Sequence, residues 1–459
     1  MKKVKVNLTP VMASRLAKEA SIEISFMLQE FACKAGEMLF ELNGRTIMKP
    51  FETFAVPLQI MDEAGEVPFE KVEENRGYIL AWMYKPLRDT KGEIQVQYTL
   101  ALKPVGVNPC FDLGFEEGGI DGSGMTSMPA FAEEFAKEQY DYTLTWDLSK
   151  MMENATAAWA FGPGTCHKVA FGGLLQQTFY AAGELNAVRF GRFGYYWFSG
   201  REMLQPAMDA ARIFDYESEF FEDAEDPYNI FIRKTVGSER AGGTAYTRSY
   251  MCVYSEGNDL SPDWLFFLYA HEMVHNWVHL SDSPFGTCTW YVEGMAEFYS
   301  SVLPLRAGIA SKEQLLKEIN KRAQQYYQNP RNQIPNAEVG KHLMKDPEMT
   351  RVSYGRGFFY LTHADAMIRR ATSGEKSLDD VVKALNKRYA EDKTLQNEAW
   401  IEEYGRYVGE ETAREEYEAM AQGKAVEPEC DCYGGAVRKV KTEGVMRESG
   451  EKCVLWQFE

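Results

Sequence analysis

Apolar and polar residues alternate along much of the first third of the chain. The segments 93–103 (GEIQVQYTLAL) and 140–148 (YDYTLTWDL) show this alternation over strand-length runs, which is typical of strands with one buried face. Glycine-rich turns such as residues 118–124 are expected between strands, and one helix is expected near residues 10–20. The pattern predicts an N-terminal β-rich domain over residues 1–160.

The next hundred residues have a mixed pattern. Residues 186–198 and 228–235 are strand-like, whereas residues 202–221 have apolar positions at helical spacing. Residues 242–246 (GGTAY) are predicted to form a turn that opens onto an edge strand at 249–254. This region is therefore expected to form a mixed α/β lobe.

A helical pattern begins at Ser261-Pro262, where a capping residue precedes a proline in the first turn. Ser311 and Gln314 form a predicted capping box, and Ser377 is expected to cap a further helix. The tail then reads as two or three short strands. The prediction is an α+β multidomain protein with divisions at 1–160, 161–415 and 416–459.

Composition narrows the class of protein. The chain has 459 residues, a net charge of −18 and 45% hydrophobic residues, which favours a folded protein and disfavours nucleic acid as a partner. The basic start lacks an apolar run, and the apolar stretch 264–270 is too short to span a bilayer. We therefore expect a cytoplasmic protein without a membrane partner.

Eight cysteines are scattered along the chain, and most are expected to be free thiols in a reducing compartment. Cys430 and Cys432 form a C-x-C pair. The sequence leaves open whether this pair binds metal, is redox active or is structural.

The strongest chemical signal is His271-Glu272-Met273-Val274-His275, an H-E-x-x-H motif on the helix that begins at Pro262. Two histidines four positions apart lie on one helical face, which suits two corners of a zinc tetrahedron. Glu272 can then act as the base toward a metal-bound water. The motif predicts a zinc-dependent hydrolase.

Glu293 is the predicted third ligand, because one class of zinc peptidases takes a carboxylate from a second helix and leaves the fourth position open. Glu297 lies one turn further and is either a hydrogen-bond acceptor for a ligand histidine or a solvated charge. His279 is a possible substitute ligand. The class with three histidines is excluded, because Val278 and Ser281 occupy the positions where that class requires glycine and histidine.

Beyond the zinc motif, several ordered motifs over residues 225–390 resemble the glycyl aminopeptidase family of gluzincin zinc metallopeptidases. The matching segments are His271-Glu272-x-x-His275-Asn276-Trp277, Glu293-Gly294 followed by Tyr299, Leu305-Arg306-Ala307-Gly308-Ile309, Tyr354-Gly355-Arg356-Gly357, residues 365–374 and Ser377-Leu378-Asp379-Asp380-Val381.

This resemblance implies a thermolysin-like catalytic domain, with a mixed α/β lobe and a helical lobe, behind an N-terminal β-domain. It implies that Tyr354 donates a hydrogen bond to the oxyanion. It also implies that Arg356 and the segment Gly242, Gly243, Thr244 and Ala245 bind the peptide substrate, the segment by strand addition.

Two features depart from the family. Ala245 stands where family members carry a glutamate that holds the substrate's amino terminus, and the usual carboxy-terminal PDZ domain is not expected in the short tail. An aminopeptidase-like enzyme for small peptides is the first hypothesis. An endopeptidase without amino-terminus recognition and a non-catalytic peptide-binding or partner-binding member remain as alternatives, and the sequence leaves the oligomeric state open.

Overall fold

The computed structural model describes the chain except residues 47–49, 52, 78, 106–111, 133–136, 199–201, 238–240, 259 and 344. The described chain divides into two compact units. Unit 1 contains residues 1–211 and 225–260, and unit 2 contains residues 212–224 and 261–459. The three-part division predicted at 160/161 and 415/416 stays a prediction.

The largest sheet of unit 1 holds most of the N-terminal strands. These are β1 (Lys2–Val11), β2 (Ala20–Gln29), β4 (Thr53–Asp62), β5 (Gly65–Glu66), β8 (Ile94–Leu102), β11 (Gln139–Trp146) and β14 (Cys166–Phe171). Their order is β14-β11-β1-β2-β8-β4-β5, with β1 and β11 parallel. Side chains of β2 alternate between buried and half-buried, because successive side chains of a strand point to opposite faces. The strands predicted at 93–103 and 140–148 are confirmed as β8 and β11.

Two further sheets complete the N-terminal region. One contains β3 (Phe40–Arg45), β6 (Phe69–Asn75) and β7 (Leu80–Pro86) in the order β3-β7-β6. The other contains β9 (Gly114–Glu116), β10 (Gly119–Ser123), β12 (Thr156–Trp159), β13 (Gly162–Pro163) and β15 (Phe179–Gly183) in the order β13-β12-β15-β10-β9.

Two local predictions for this region are wrong. Residues 10–20 contain no helix: Val11 ends β1 and pairs with Ser21 of β2, so strand pairing overrides the helix-favouring composition of the connection. Most of the predicted turn at 118–124 is the buried strand β10, which pairs with β15. Its glycines allow this close contact, since a Cβ at Gly119 would lie 2.5 Å from the carbonyl oxygen of Ala182.

The last sheet of unit 1 contains β16 (Asn186–Phe190), β17 (Phe193–Trp197), β18 (Tyr228–Thr235), β19 (Gly242–Tyr246) and β20 (Ser249–Ser255) in the order β16-β17-β18-β20-β19. The strands predicted in 186–198 and 228–235 are confirmed. The prediction of a turn at 242–246 and an edge strand at 249–254 is wrong. Residues 242–246 form β19, the end strand of the described sheet, and β20 is fully buried between β18 and β19.

Nine α-helices appear in the described residues. They are α1 (Leu204–Phe220), α2 (Pro262–Val274), α3 (Thr289–Arg306), α4 (Lys312–Tyr327), α5 (Asn336–His342), α6 (Pro347–Ala371), α7 (Leu378–Glu391), α8 (Asn397–Val408) and α9 (Glu410–Ala421). Two of the three predicted caps are present, whereas Ser261 is the N-cap residue of α2 but its side chain makes no capping hydrogen bond there. Ser311 and Gln314 form a capping box at α4, and Ser377 forms one with Asp380 at α7.

A hairpin of β21 (Lys439–Val445) and β22 (Lys452–Phe458) follows the helices. It is part of the helical core of unit 2. Leu455 and Phe458 are buried in that core, and Asn320 of α4 exchanges two 2.8 Å hydrogen bonds with the backbone of Phe458. The fold is therefore a mixed α/β multidomain fold, β-rich at its N-terminal side and helical at its C-terminal side, as predicted.

No helix among the described residues is long and apolar enough to cross a lipid bilayer.

Candidate active site

Helix α2 carries the histidine pair of unit 2. It begins after Ser261 with Pro262 at its first turn, and a largely apolar sequence keeps most of its side chains buried. His271 and His275 lie one turn apart with their rings edge to face at a centroid distance of 4.9 Å. Their Nε2 atoms are 3.2 Å apart, so both imidazoles point toward one place.

Glu293 of α3 completes the cluster. Its Oε2 lies 3.3 Å from Nε2 of His271 and 3.6 Å from Nε2 of His275. Bonds of about 2.0–2.1 Å from a tetrahedral zinc ion would place ligand atoms roughly 3.3 Å apart. The three atoms therefore have the spacing of three corners of such a tetrahedron.

The same carboxylate oxygen supports this assignment by its surroundings. Oε2 of Glu293 is buried, and although both imidazoles are near, it receives no hydrogen bond of acceptable geometry. A buried oxygen without a donor is costly in a folded protein. The two imidazole nitrogens and this carboxylate oxygen therefore suit the binding of a divalent metal ion better than hydrogen bonding among themselves.

The charges of the cluster are strongly coupled. Among the protein groups alone, burial would lower the pKa of His271, but the neighbouring carboxylates of Glu293, Glu297 and Glu272 raise it to about 9. Burial lowers the pKa of His275 to about 4. Burial also raises the pKa of Glu272 to about 7, which is suitable for a group that exchanges a proton near neutral pH.

Glu297 contacts the far side of the first histidine. Its Oε1 lies 3.5 Å from Nδ1 of His271, while its Oε2 accepts a short hydrogen bond from Nε of Arg322 on α4. Glu297 is thus placed to hold the proton of His271 on Nδ1, which leaves Nε2 as the metal-binding atom. The role of Glu297 as an acceptor for His271 stays a prediction, which these contacts support.

Arg322 is the residue of this site that sequence reasoning missed. Its side chain is only 10% exposed, and its guanidinium lies 5.6 Å from the ring of Phe358. Arg322 and Glu297 lie on different helices, so no spacing pattern connects them. Only the packing of α4 against α3 brings them together.

Tyr354 of α6 packs against the first histidine of the cluster. Its ring stacks on His271 with a centroid distance of 5.7 Å and an angle of 3°, and its hydroxyl lies close enough to the Glu293 carboxylate for the two groups to shift each other's pKa. Burial, and then the carboxylates of Glu293 and Glu272, raise the pKa of Tyr354 well above its usual value. The phenol therefore keeps its proton at neutral pH and can act as a donor.

Two further predicted residues of unit 2, Arg356 and His279, contact residues outside the metal cluster. Arg356 is fully buried and donates to the carbonyl oxygens of Asn332 and Ile334 at 2.9 and 2.7 Å. Substrate binding by Arg356 stays a prediction. His279 stacks on Tyr389 at 5.2 Å, which favours a packing role over that of a substitute ligand.

The described cysteines are all free thiols, and Cys110 lies outside the described residues. Burial raises the pKa of Cys430 to about 11 and that of Cys432 well above its usual value. Both groups therefore stay protonated at neutral pH, which disfavours reactivity in the C-x-C pair.

In unit 1, the predicted substrate segment is the end strand β19. Gly242, Gly243, Thr244 and Ala245 are all half-buried, and β19 pairs antiparallel with β20. An end strand offers backbone donors and acceptors to an extended peptide. Gly243 has a second role, because a Cβ there would overlap the phenol of Tyr250.

Comparison with known proteins agrees with the geometry of this site. Residues 265–341, which contain the histidine pair and Glu293, match the family model described as M61 glycyl aminopeptidase. No curated protein sequence matches the chain significantly.

Solved structures share the fold at low sequence identity. An aminopeptidase N family protein from Idiomarina loihiensis matches with a TM-score of 0.69 and 13% identity, over 97% of this chain and 80% of that one. Native yeast LTA4 hydrolase matches with a TM-score of 0.59 and 13% identity, over 94% and 69%. A variant M1 zinc metallopeptidase from Deinococcus radiodurans, bound to a Tyr-Ser-Ala substrate, matches with a TM-score of 0.55 and 14% identity, over 93% and 95%.

These findings confirm two predictions made from the sequence. The chain resembles the gluzincin metallopeptidases, and it is a metallopeptidase enzyme. Its fold is similar to that of the M1 peptidases.

Proposed function

We propose that this protein hydrolyses peptide bonds as a zinc-dependent, aminopeptidase-like enzyme that acts on small peptides. The observation that carries the proposal is the convergence of Nε2 of His271, Nε2 of His275 and Oε2 of Glu293 at mutual distances of 3.2 to 3.6 Å. The family match over residues 265–341 supports the same reaction class.

His271, His275 and Glu293 would hold the zinc ion. Glu297 would orient the His271 imidazole through its contact with Nδ1. When bound, zinc polarises a water molecule and the scissile carbonyl. This donor set of two imidazoles and one carboxylate is a known catalytic set, because it leaves a coordination position open.

The protein's own groups supply proton transfer and charge stabilisation. Glu272 is half-buried beside His271, where its carboxylate can take a proton from the attacking water and deliver it to the leaving amine. The phenol of Tyr354 donates a hydrogen bond toward the negative oxygen that develops in the transition state. We also propose that β19 aligns the peptide backbone by strand addition.

One observation favours a second candidate activity. Ala245 offers no charge to the cationic amino terminus of a peptide, and such an amine usually pairs with a carboxylate. An endopeptidase that cuts oligopeptides internally is therefore the second candidate. The substrate-bound relative shows only that this fold takes a tripeptide.

The test uses zinc-loaded protein and matched peptides, with free and acetylated amino termini, and locates the cuts by mass spectrometry. Release of single amino-terminal residues from free peptides alone supports the aminopeptidase activity. Internal cuts, or equal cutting of acetylated peptides, support the endopeptidase. The Glu272→Gln variant is the control, and we expect it to bind zinc normally but to lose activity by a factor on the order of 10²–10⁴.

A further inference from the structure

Helix α6 meets α3 at a contact between two glycines. A Cβ at Gly294 would lie 2.6 Å from Cα of Gly357, and a Cβ at Gly357 would lie 2.8 Å from Cα of Gly294 and overlap the carbonyl oxygen of Trp290. Real Cβ atoms do not approach other atoms so closely, so any side chain here must push the helices apart. Gly294 directly follows Glu293, and Gly357 lies three positions after Tyr354.

The two residues between Tyr354 and Gly357 hold α6 from other directions. A Cβ at Gly355 would lie 2.5 Å from Cβ of Tyr326 on α4. Arg356 donates to the carbonyl oxygens of Asn332 and Ile334 in the connection between α4 and α5. Each of the three residues therefore has a close partner outside α6.

Successive residues of an α-helix point about 100° apart. Contacts at three successive positions therefore limit both the rotation of α6 about its axis and its distance from α3. Because Tyr354 precedes these positions on the same turn, they also determine where its phenol lies. That phenol must reach the Glu293 carboxylate and stack on His271, a geometry in which a displacement of about 1 Å matters.

We propose that Gly355, Arg356 and Gly357 are positioning residues, which act together with Gly294 to hold the Tyr354 phenol against Glu293 and His271. This inference rests on the proposed function, since it assigns these residues a task in peptide hydrolysis. In this proposal Arg356 positions Tyr354 by holding α6 and does not itself contact the substrate.

The Gly357→Ala variant tests the inference, and it is made both alone and in the Tyr354→Phe background. Loss of an oxyanion donor lowers kcat by a factor on the order of 10²–10³, which is the expected effect of Tyr354→Phe. A displacement of about 1 Å in the supporting helix lowers kcat by up to about 10²-fold. If Gly357 acts through Tyr354, adding Gly357→Ala to Tyr354→Phe lowers kcat by roughly 2-fold or less, because additive effects already scatter by about that factor.

A purely structural glycine would behave differently, because its replacement would lower kcat by the same factor in both backgrounds. That additive result would overturn the inference. Binding of a phosphonate peptide analogue, measured by calorimetry, gives a readout that does not depend on turnover. The same lack of additivity is expected there, while zinc affinity changes little in the Gly357→Ala variant.

Arg356→Met is the second variant, because it adds no volume at the contact between α3 and α6. It keeps the inference testable if the Gly357→Ala variant does not fold. It is measured in the same two backgrounds, with the same criterion. Gly405→Ala is the matched control, a helical glycine of α8 whose added Cβ would lie 3.0 Å from Cα of Glu410. It should change thermal stability only.

The outcomes separate the inference from the function on which it rests. A zinc-loaded wild-type protein that cuts no peptide would overturn the proposed function. An active wild-type protein with an equally active Tyr354→Phe variant would overturn the role of Tyr354 and therefore its positioning. An active protein with additive losses would overturn the positioning alone.

Discussion

The contact between Glu297 and Arg322 allows metal affinity and fold stability to be perturbed separately. Glu297 places one carboxylate oxygen 3.5 Å from Nδ1 of His271 and the other on Nε of Arg322. Replacing Glu297 by glutamine removes the charge that both partners contact. We expect this single change to weaken zinc binding and also to destabilise the fold.

The exposure of the pair determines the loss of stability. The side chain of Arg322 is 10% exposed and that of Glu297 is 16% exposed. Breaking a buried ion pair by removing one partner costs about 3–5 kcal/mol. Because both side chains are slightly exposed, we expect a loss at the lower end of this range, about 3 kcal/mol. Removing the hydrogen-bond acceptor of a ligand histidine weakens metal binding by about 10–100-fold. Because the variant also leaves the Arg322 charge unpaired, we expect zinc affinity to fall by about 100-fold.

Combining Glu297→Gln with Arg322→Met separates the two effects. The double variant leaves no unpaired buried charge, so the free energy of unfolding should return to within about 1 kcal/mol of the wild-type value. Zinc affinity should recover only in part and stay about 10-fold weaker than in the wild type, because no carboxylate holds Nδ1 of His271. Urea unfolding of the metal-free protein and chelator competition measure the two quantities.

Arg388→Met is the matched control for this experiment. Arg388 contacts the buried carboxylate of Glu403 at 2.8 Å, and neither residue belongs to the metal cluster. This variant should lose stability and keep its zinc affinity. The reasoning is refuted if the double variant at positions 297 and 322 regains full zinc affinity, since Glu297 would then act through charge balance alone.

Three further outcomes are expected. Removing zinc by chelation should lower the melting temperature, and zinc at about 1,000 times its Kd should restore roughly 4 kcal/mol; an unchanged melting temperature would argue against metal binding by the folded protein. Asp62 accepts hydrogen bonds from Arg88 that lower its pKa from 3.8 to about 2, so its stabilisation is present above pH 4 and is lost as pH falls toward 2. After allowance for solvent screening, Asp62→Asn should cost about 1 kcal/mol at pH 7, with a cost that shrinks on acidification; a cost independent of pH would contradict this. Ser377→Ala should cost about 1 kcal/mol through loss of the capping box at α7, measured by urea unfolding against Ser377→Thr, which keeps the hydroxyl and should cost less.

The parts of the site that depend on local spacing could be predicted from the sequence. His271 and His275 are one helical turn apart in any α-helix, so their convergence needs no knowledge of the tertiary fold. The caps at Ser311 and Ser377 are equally local. Glu293 and Tyr354 needed more than spacing, and only resemblance to a family singled out Tyr354 among the tyrosines of the chain.

The parts that depend on packing between distant segments could not be predicted. Arg322 contacts Glu297 across two helices, and the partner of Gly357 is a residue more than sixty positions away. The segments 10–20 and 242–246 were misassigned for the same reason. Their local composition suits a helix and a turn, whereas pairing between strands places Pro10 and Val11 against β2 and residues 242–246 against β20.

The division of the chain into units limits which gene segments can be moved between related proteins. Unit 2 takes residues 212–224 from a stretch that otherwise belongs to unit 1. Within that short segment Phe221 stacks on Trp277 at 5.0 Å, and Asp223 accepts a 2.8 Å hydrogen bond from the Trp277 indole. Trp277 lies two positions after His275. A gene fragment that encodes residues 261–459 alone would leave this tryptophan uncovered beside the histidine pair. An uninterrupted block of coding sequence that carries all of unit 2 must therefore start at residue 212 and bring residues 225–260 of unit 1 with it.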